Sequence, residues 1–395
     1  MKTVGIICEC NPFHAGHAYL IEQAKRAGAD AVIALMSGCF VQRGEPAIVE
    51  PSARARVLLL GGADAVLELP FPYSAAGAEF FGAAGVEILD RLGVSELWFG
   101  SECGDLDRLQ RLACAADDPA FERLYAEQST QSTGTAEAFL DCLKSFCGDD
   151  QPCLSNDILA ISYLRALNRL GSCIKPVTVK RLGSAYREES LGELSEYPSA
   201  TALRRLWNEK GLDSILPFLP VGAKEFLEPC VAEGRAPTSL LNAERFVLGH
   251  FRMEMISHIE QIAELSGGLG SRMIHTAQST DSYESFLALS ETKKYPRARL
   301  RRGILFALTD LSREALKSSP AYVRLLAANQ KGRDFLSLAR KDARIPVVTK
   351  RADLPDSSEA QLQAEWERRA WALYTLCMPK PQPCDRFWKQ APFIE

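Results

Sequence analysis

Val4-Gly5-Ile6-Ile7-Cys8, running directly into Glu9-Cys10-Asn11-Pro12-Phe13-His14-Ala15-Gly16-His17, is the stretch on which the fold of this chain turns. A short apolar run that ends in a Pro-punctuated turn reads as a buried strand, and a helix opening near Gly16 would aim backbone N–H groups at a phosphate. The stretch carries two of the chain's five histidines. They stand three positions apart, so both sit at one mouth of the turn once the helix begins.

Outward from this turn the pattern repeats. Positions 18–27 predict a helix, with Leu20, Ile21 and Ala24 on one face and Glu22, Lys25 and Arg26 on the other. Gly28 ends it, positions 30–36 read as a buried strand, and Ser37 to Pro46 form a polar loop holding Gly38 and Gly44. A helix over 52–60, a strand over 65–69, a helix over 75–92 and a strand over 96–99 follow, the last ending in Gly100-Ser101-Glu102. Strands alternating with helices specify a parallel sheet covered on both faces, with ligands beyond the carboxyl ends of its strands. The opening turn, the Ser37 loop and the Gly100 turn are therefore expected to share one crevice.

From 105 to about 170 the sequence turns helical, and a fifth strand is expected over 176–181. In Tyr197-Pro198-Ser199-Ala200-Thr201-Ala202-Leu203-Arg204 a Ser or Thr opens an apolar-periodic helix, an N-cap signature and a second possible phosphate-facing end. Beyond Gly211 the chain is largely helical, and Pro217, Pro220 and Pro229 interrupt the pattern where a domain boundary is expected. Lys293, Lys294, Arg297, Arg299, Arg301 and Arg302 make 293–302 the most one-signed stretch, with no acidic residue among them.

A chain of 395 residues with 47% hydrophobic and 24% charged residues has the composition of an ordinary globular protein, long enough for two domains. The net charge of -4 leaves room for a local basic patch. No run approaches a membrane span of about 20 apolar residues, and the start lacks a signal-peptide pattern, so a cytoplasmic protein without membrane contact is expected. The twelve cysteines show no CxxC pair and are expected to be reduced, mostly buried residues rather than metal ligands.

His14-Ala15-Gly16-His17 after a first strand, with Ser199-Ala200-Thr201-Ala202-Leu203-Arg204 far downstream, resembles the nucleotidyltransferase branch of the Rossmann-like superfamily. Two histidines at this spacing also describe solvated or core-satisfied side chains, and two ligands alone make no metal site. A narrower resemblance is carried by residues 9–17, 36–47, 62–70 and 99–102, and continues through Asn156-Asp157-Ile158-Leu159, Lys180-Arg181 and the 293–300 segment. On these motifs the chain resembles the tRNA(Met) cytidine acetate ligase family.

That resemblance implies an α/β fold, with a Rossmann-like parallel-sheet nucleotidyltransferase domain over 1–215, a helical insert at about 105–170, and a mainly helical, tRNA-binding part over 216–395. It implies an enzyme that activates acetate with ATP, forming acetyl-adenylate, and passes the acetyl group to N4 of the wobble cytidine of elongator tRNA(Met). No protein partner is implied. His14 and His17 would stabilise the transferring phosphate, and no protein-held metal is expected; Mg²⁺ would enter bound to ATP. The stretch from Ile7 to Leu20, with Ile7, Cys8, Asn11, Pro12, Phe13, His14, Gly16 and His17 foremost, would surround ATP together with Gly100, Asn156 and Arg181, with Ser199 and Thr201 at the second helix end. The six basic residues of 293–302 would contact tRNA.

The chain departs from the family pattern at Cys10, where Tyr is usual, at Ala15 and Cys39, where Asn is usual, and at Glu50-Pro51-Ser52, where a Lys near an aromatic residue is usual. Three other residues read two ways: Arg43 faces phosphate or solvent, Glu68 orients a ligand or pairs with a base, and Tyr295 stacks on a base or packs. A small-molecule adenylyltransferase and a non-catalytic RNA-binding protein on the same fold are the alternatives; the basic helical half disfavours the first and the retained histidines the second.

Overall fold

A computed structural model describes residues 1–129, 136–181, 198–342 and 344–395. Tyr197, quoted above in the helix-opening signature, lies outside the described residues. Strands β1 (Thr3–Cys8), β2 (Ala31–Ser37), β3 (Ala65–Leu69), β4 (Glu96–Ser101) and β5 (Lys175–Lys180) pair in parallel in the order β5-β4-β1-β2-β3. Helices α1 (Ala15–Arg26), α2 (Pro51–Leu60) and α3 (Ala78–Arg91) fill the first three crossovers. The helices α4 (Leu106–Ala116), α5 (Pro119–Ser129), α6 (Ala136–Cys147) and α7 (Ser155–Leu170) fill the connection from β4 to β5.

β1 and β2 are buried at every residue, as strands covered on both faces must be. Their side chains alternate between two cores. Ile7, Ile33 and Leu35 pack with Ile88, Leu89 and Leu164, while Val4, Ile6, Val32 and Met36 pack with Ile21, Val57 and Leu58. The chain runs from β1 outward through β2 to β3, then returns to place β4 on the other side of β1. Strand order reverses between β1 and β4, and a crevice opens beyond the carboxyl ends of such a pair.

The residues after 216 add strands that the sequence reading leaves out. β6 (Val323–Ala328) pairs antiparallel with β3, and β7 (Val347–Val348) and β8 (Phe393–Ile394) pair with β6, giving an eight-stranded sheet. Val-Arg-Leu-Leu-Ala-Ala has the composition of a helix, and it is a strand because β3 offers an edge and both faces are covered. A third core lies under the helices between Glu244 and Leu308 and the long helix Ser358–Leu376, where Phe40 and Phe71 from the sheet half meet Phe306 and Tyr374. All twelve cysteines are free; six are buried and Cys114, Cys147, Cys173 and Cys384 are exposed, fewer buried than the composition suggests. Among the described residues no helix is long and apolar enough to cross a membrane.

Candidate active site

Helix α1 starts at Ala15, three residues before the periodicity places it, because His14 caps it from an extended conformation. The His14 Nδ1 accepts from the Gly16 N–H at 3.0 Å, and the His17 Nδ1 accepts from the His14 N–H at 3.2 Å. This is the reciprocal arrangement of a capping box, built from two imidazoles. Since each Nδ1 accepts a hydrogen bond, each ring carries its proton on Nε2. Burial, then the nearby Arg181 and Arg204 charges, pushes His14 down to about 4. Burial, then His14 and Arg181, pushes His17 down as well. The rings, 4.0 Å apart between centroids, are thus neutral near pH 7 and present paired Nε2–H donors. Gly16 is required: a Cβ there would lie 2.8 Å from the His14 Cε1.

The histidines stand in a cleft of about 310 Å³ at the β1/β4 reversal. Of the residues expected around ATP, Ile7, Cys8, Asn11, His14, Gly16, His17, Gly100, Asn156, Arg181, Ser199 and Thr201 line it. Pro12 and Phe13 do not. Phe13 turns into the core, its ring filling the space that a Cβ on Gly61 would need, and it lies 5.6 Å from the His17 ring.

Asn11 holds the turn through two contacts: its Oδ1 accepts from the Ile48 N–H at 2.7 Å, and its carbonyl accepts from Arg204 Nη1 at 2.7 Å. Its Nδ2 is buried with no partner among the described residues, a donor left over in the cleft wall. Arg204 comes from α8 (Ala200–Lys210), which Ser199 caps by accepting from the Ala202 N–H at 3.2 Å. Glu102 anchors the start of α7. Its carboxylate accepts from the Asn156 N–H at 3.1 Å, from the Asp157 N–H at 2.9 Å and from Asn156 Nδ2 at 2.5 Å. Asp157 answers by accepting from the Glu102 N–H at 2.9 Å, so the β4 turn and the start of α7 cap each other. Asn156 is thereby fixed, and its Oδ1 stands 3.5 Å from Arg181 Nη1.

Gln42, Tyr163 and Lys180 also line the cleft, although the sequence reading does not place them there; Glu9, inside the Ile7–Leu20 stretch, lines it as well, and Arg43 lines it and is exposed. Arg54, buried, stitches the walls together, donating to the carbonyls of Val49, Glu9 and Ser37 at 2.9 Å each and to that of Gly38. Glu68 lies away from the cleft and pairs with Arg324 at 3.2 Å, which decides its two readings in favour of the structural one.

The basic segment is more neutralised than its sequence suggests. Arg299 and Arg302 pair with Glu264 at 3.5 and 2.8 Å, Arg297 with Glu291 at 3.3 Å, and Arg301 with Glu45. Tyr295 is buried and donates to the Gly267 carbonyl at 2.6 Å, so it packs. Lys293 and Lys294 are exposed. Gly44 packs against the backbone of Arg301 and Arg302, which sets this helix beside the loop carrying Arg43.

A parallel sheet whose first strand delivers a His-x-Gly-His helix start into the strand-reversal cleft is the architecture of a HIGH nucleotidyl transferase, and residues 1–386 match the family of that description. The tRNA(Met) cytidine acetate ligase of Caldanaerobacter subterraneus subsp. tengcongensis is 33% identical over 386 residues, covering 95% of each chain, and that of Thermotoga maritima is 34% identical over 397 residues, covering 94% of each. The crystal structure of Thermotoga maritima TmcAL bound with alpha-thio ATP superposes with a TM-score of 0.89 at 32% identity, covering 100% of this chain and 99% of that one. The chain belongs to the tRNA(Met) cytidine acetate ligase family.

Proposed function

We propose that this chain activates acetate with ATP and acetylates N4 of the wobble cytidine of elongator tRNA(Met). The observation that carries the reading is the pair of neutral imidazoles, offering two Nε2–H donors in a cleft that also gathers Arg43, Lys180, Arg181 and Arg204. Adenylate formation needs no enzyme nucleophile, because the acetate oxygen attacks the α-phosphorus of ATP and pyrophosphate leaves. The protein's share is to hold the triphosphate in line and to stabilise the charge that builds on its oxygens. Fixed N–H donors and guanidinium groups do this without reorganising during the reaction.

The relatives' name specifies a tRNA(Met) cytidine and acetate, and the Thermotoga maritima neighbour is bound with an ATP analogue. Both support the same assignment here. Within the cleft, Asn11, Gly16, Gly100, Asn156 and Arg181 would contact ATP, with Ser199 and Thr201 at the triphosphate end. Mg²⁺ would enter on the ATP phosphates. The tRNA would approach across Lys293, Lys294 and Arg297, with Arg299, Arg301 and Arg302 ordered by their carboxylate partners. Cytoplasmic placement follows from a tRNA substrate.

The direct test is incubation with ATP, labelled acetate and bulk tRNA, followed by digestion and mass spectrometry of the nucleosides. N4-acetylcytidine at the wobble position of tRNA(Met) is the expected product. Consumption of ATP with another acid and no acetylated tRNA would instead favour a small-molecule adenylyltransferase.

A further inference from the structure

The acetyl transfer proposed above has a second requirement that the phosphate-binding groups do not meet. When the N4 amine attacks a carbonyl carbon it must lose a proton, and something in the cleft must accept it. His14 and His17 cannot: each Nδ1 is occupied by a backbone N–H and each Nε2 carries the proton. The Cys8 and Cys10 thiols are held protonated by burial. Phenols and hydroxyls keep their protons near neutral pH, and the lysine and arginines lining the cleft are cations. Among the described residues lining the cleft, Glu9 is the sole carboxylate.

Its placement has no use in anion binding. A negative charge next to four cations gathered for a triphosphate opposes that binding, yet the structure holds Glu9 firmly there. Its carbonyl accepts from Arg54 Nη1 at 2.9 Å, and the Gln42 backbone N–H reaches its carboxylate. It stands at the carboxyl end of β1, five residues before His14, between the histidine turn and the loop that carries Arg43.

We infer that Glu9 is the general base of the transfer step. As N4 attacks the acetyl carbonyl of acetyl-adenylate, the N–C bond forms and the C–O bond to phosphate breaks. AMP leaves with the electron pair, and the N4 proton passes to the Glu9 carboxylate. The inference rests on the acetyl-adenylate reading, and it adds a residue that acts after the adenylate exists. Half-burial raises the Glu9 carboxyl above the ordinary range, which strengthens it as a base. The charged and titratable groups facing it are Arg43 and Glu45 from the loop, Arg204 from α8, Arg54 from α2, Cys8 from β1 and Tyr163 from α7.

The test separates the two half-reactions in one preparation. Hydroxylamine traps acetyl-adenylate as acetohydroxamate, which reads the first step, and labelled acetate in tRNA(Met) reads the second. In Glu9→Gln the transfer is expected to fall on the order of 100-fold or more, with hydroxamate formation falling far less, and Glu9→Asp is expected to recover part of the transfer. The acid limb of the wild-type transfer rate, lost as pH falls through the Glu9 pKa, should vanish in Glu9→Gln. Equal loss of both steps, loss of hydroxamate that added Mg²⁺ restores, or undiminished transfer each overturn the assignment. A wild-type protein that makes no acetate-dependent hydroxamate instead removes the acetyl-adenylate reading, and with it the reaction this base serves.

Discussion

At the scale of single residues, the two rings of the histidine turn use their Nδ1 atoms on the backbone and leave Nε2–H free. The identity of the two histidines is legible in the sequence; the tautomer is not, since it depends on a cap that forms only once α1 starts at Ala15. The same cap makes Gly16 intolerant. Gly16→Ala should push the His14 ring off its position and weaken ATP binding about tenfold or more, read by calorimetry, with the fold retained in circular dichroism. Burial holds both imidazoles neutral. Acetate-dependent adenylate formation should therefore show no change in rate as pH passes the ordinary imidazole value of about 6.5.

Secondary-structure elements position what the residues do. Five sheet strands, and the helices between the first four, are legible from apolar runs bounded by glycine and proline, and the crevice follows from their order. β6 is illegible, because its Leu- and Ala-rich run becomes a strand only against the β3 edge. The reciprocal cap between the β4 turn and α7 is likewise invisible, since Glu102 and Asn156 are distant in sequence. Glu102→Gln leaves a single acceptor where a carboxylate now receives three hydrogen bonds. It should lower stability by about 1–2 kcal/mol, measured by denaturant unfolding, and should raise the Kd for ATP by loosening Asn156.

At the scale of the whole molecule, a buried cluster ties the C-terminal half to the sheet. Arg324 on β6 pairs with Glu68 on β3 and stacks on Phe387, while Glu367 from the long helix accepts from Tyr322 at 2.8 Å and Gln363 at 3.0 Å. Arg324→Met leaves those carboxylates without their cation and should cost about 3–5 kcal/mol, read as a fall in Tm. Burial, then the neighbouring Glu68 charge, raises the Glu367 carboxyl. The folded state therefore holds a proton that the unfolded chain releases, and stability should fall as pH climbs above the ordinary glutamate value of about 4.3. Glu367→Gln should flatten that slope.

The basic segment shows where charge counting misleads at this scale. Six cations are legible in sequence, but four face carboxylates that folding brings in from elsewhere. The exposed pair Lys293 and Lys294 should carry most of the salt-dependent contact. Lys293→Glu with Lys294→Glu should weaken tRNA binding and reduce the slope of log K against log salt by about 2, with a much smaller change in ATP affinity. In the proposed reaction the paired neutral imidazoles drive acetate-dependent adenylate formation. Its most direct measurement is ATP–pyrophosphate exchange with and without acetate, on the wild-type protein and on His17→Ala. The prediction is acetate-dependent exchange that His17→Ala lowers by about 100- to 1000-fold; exchange indifferent to acetate, or undiminished in His17→Ala, would contradict it.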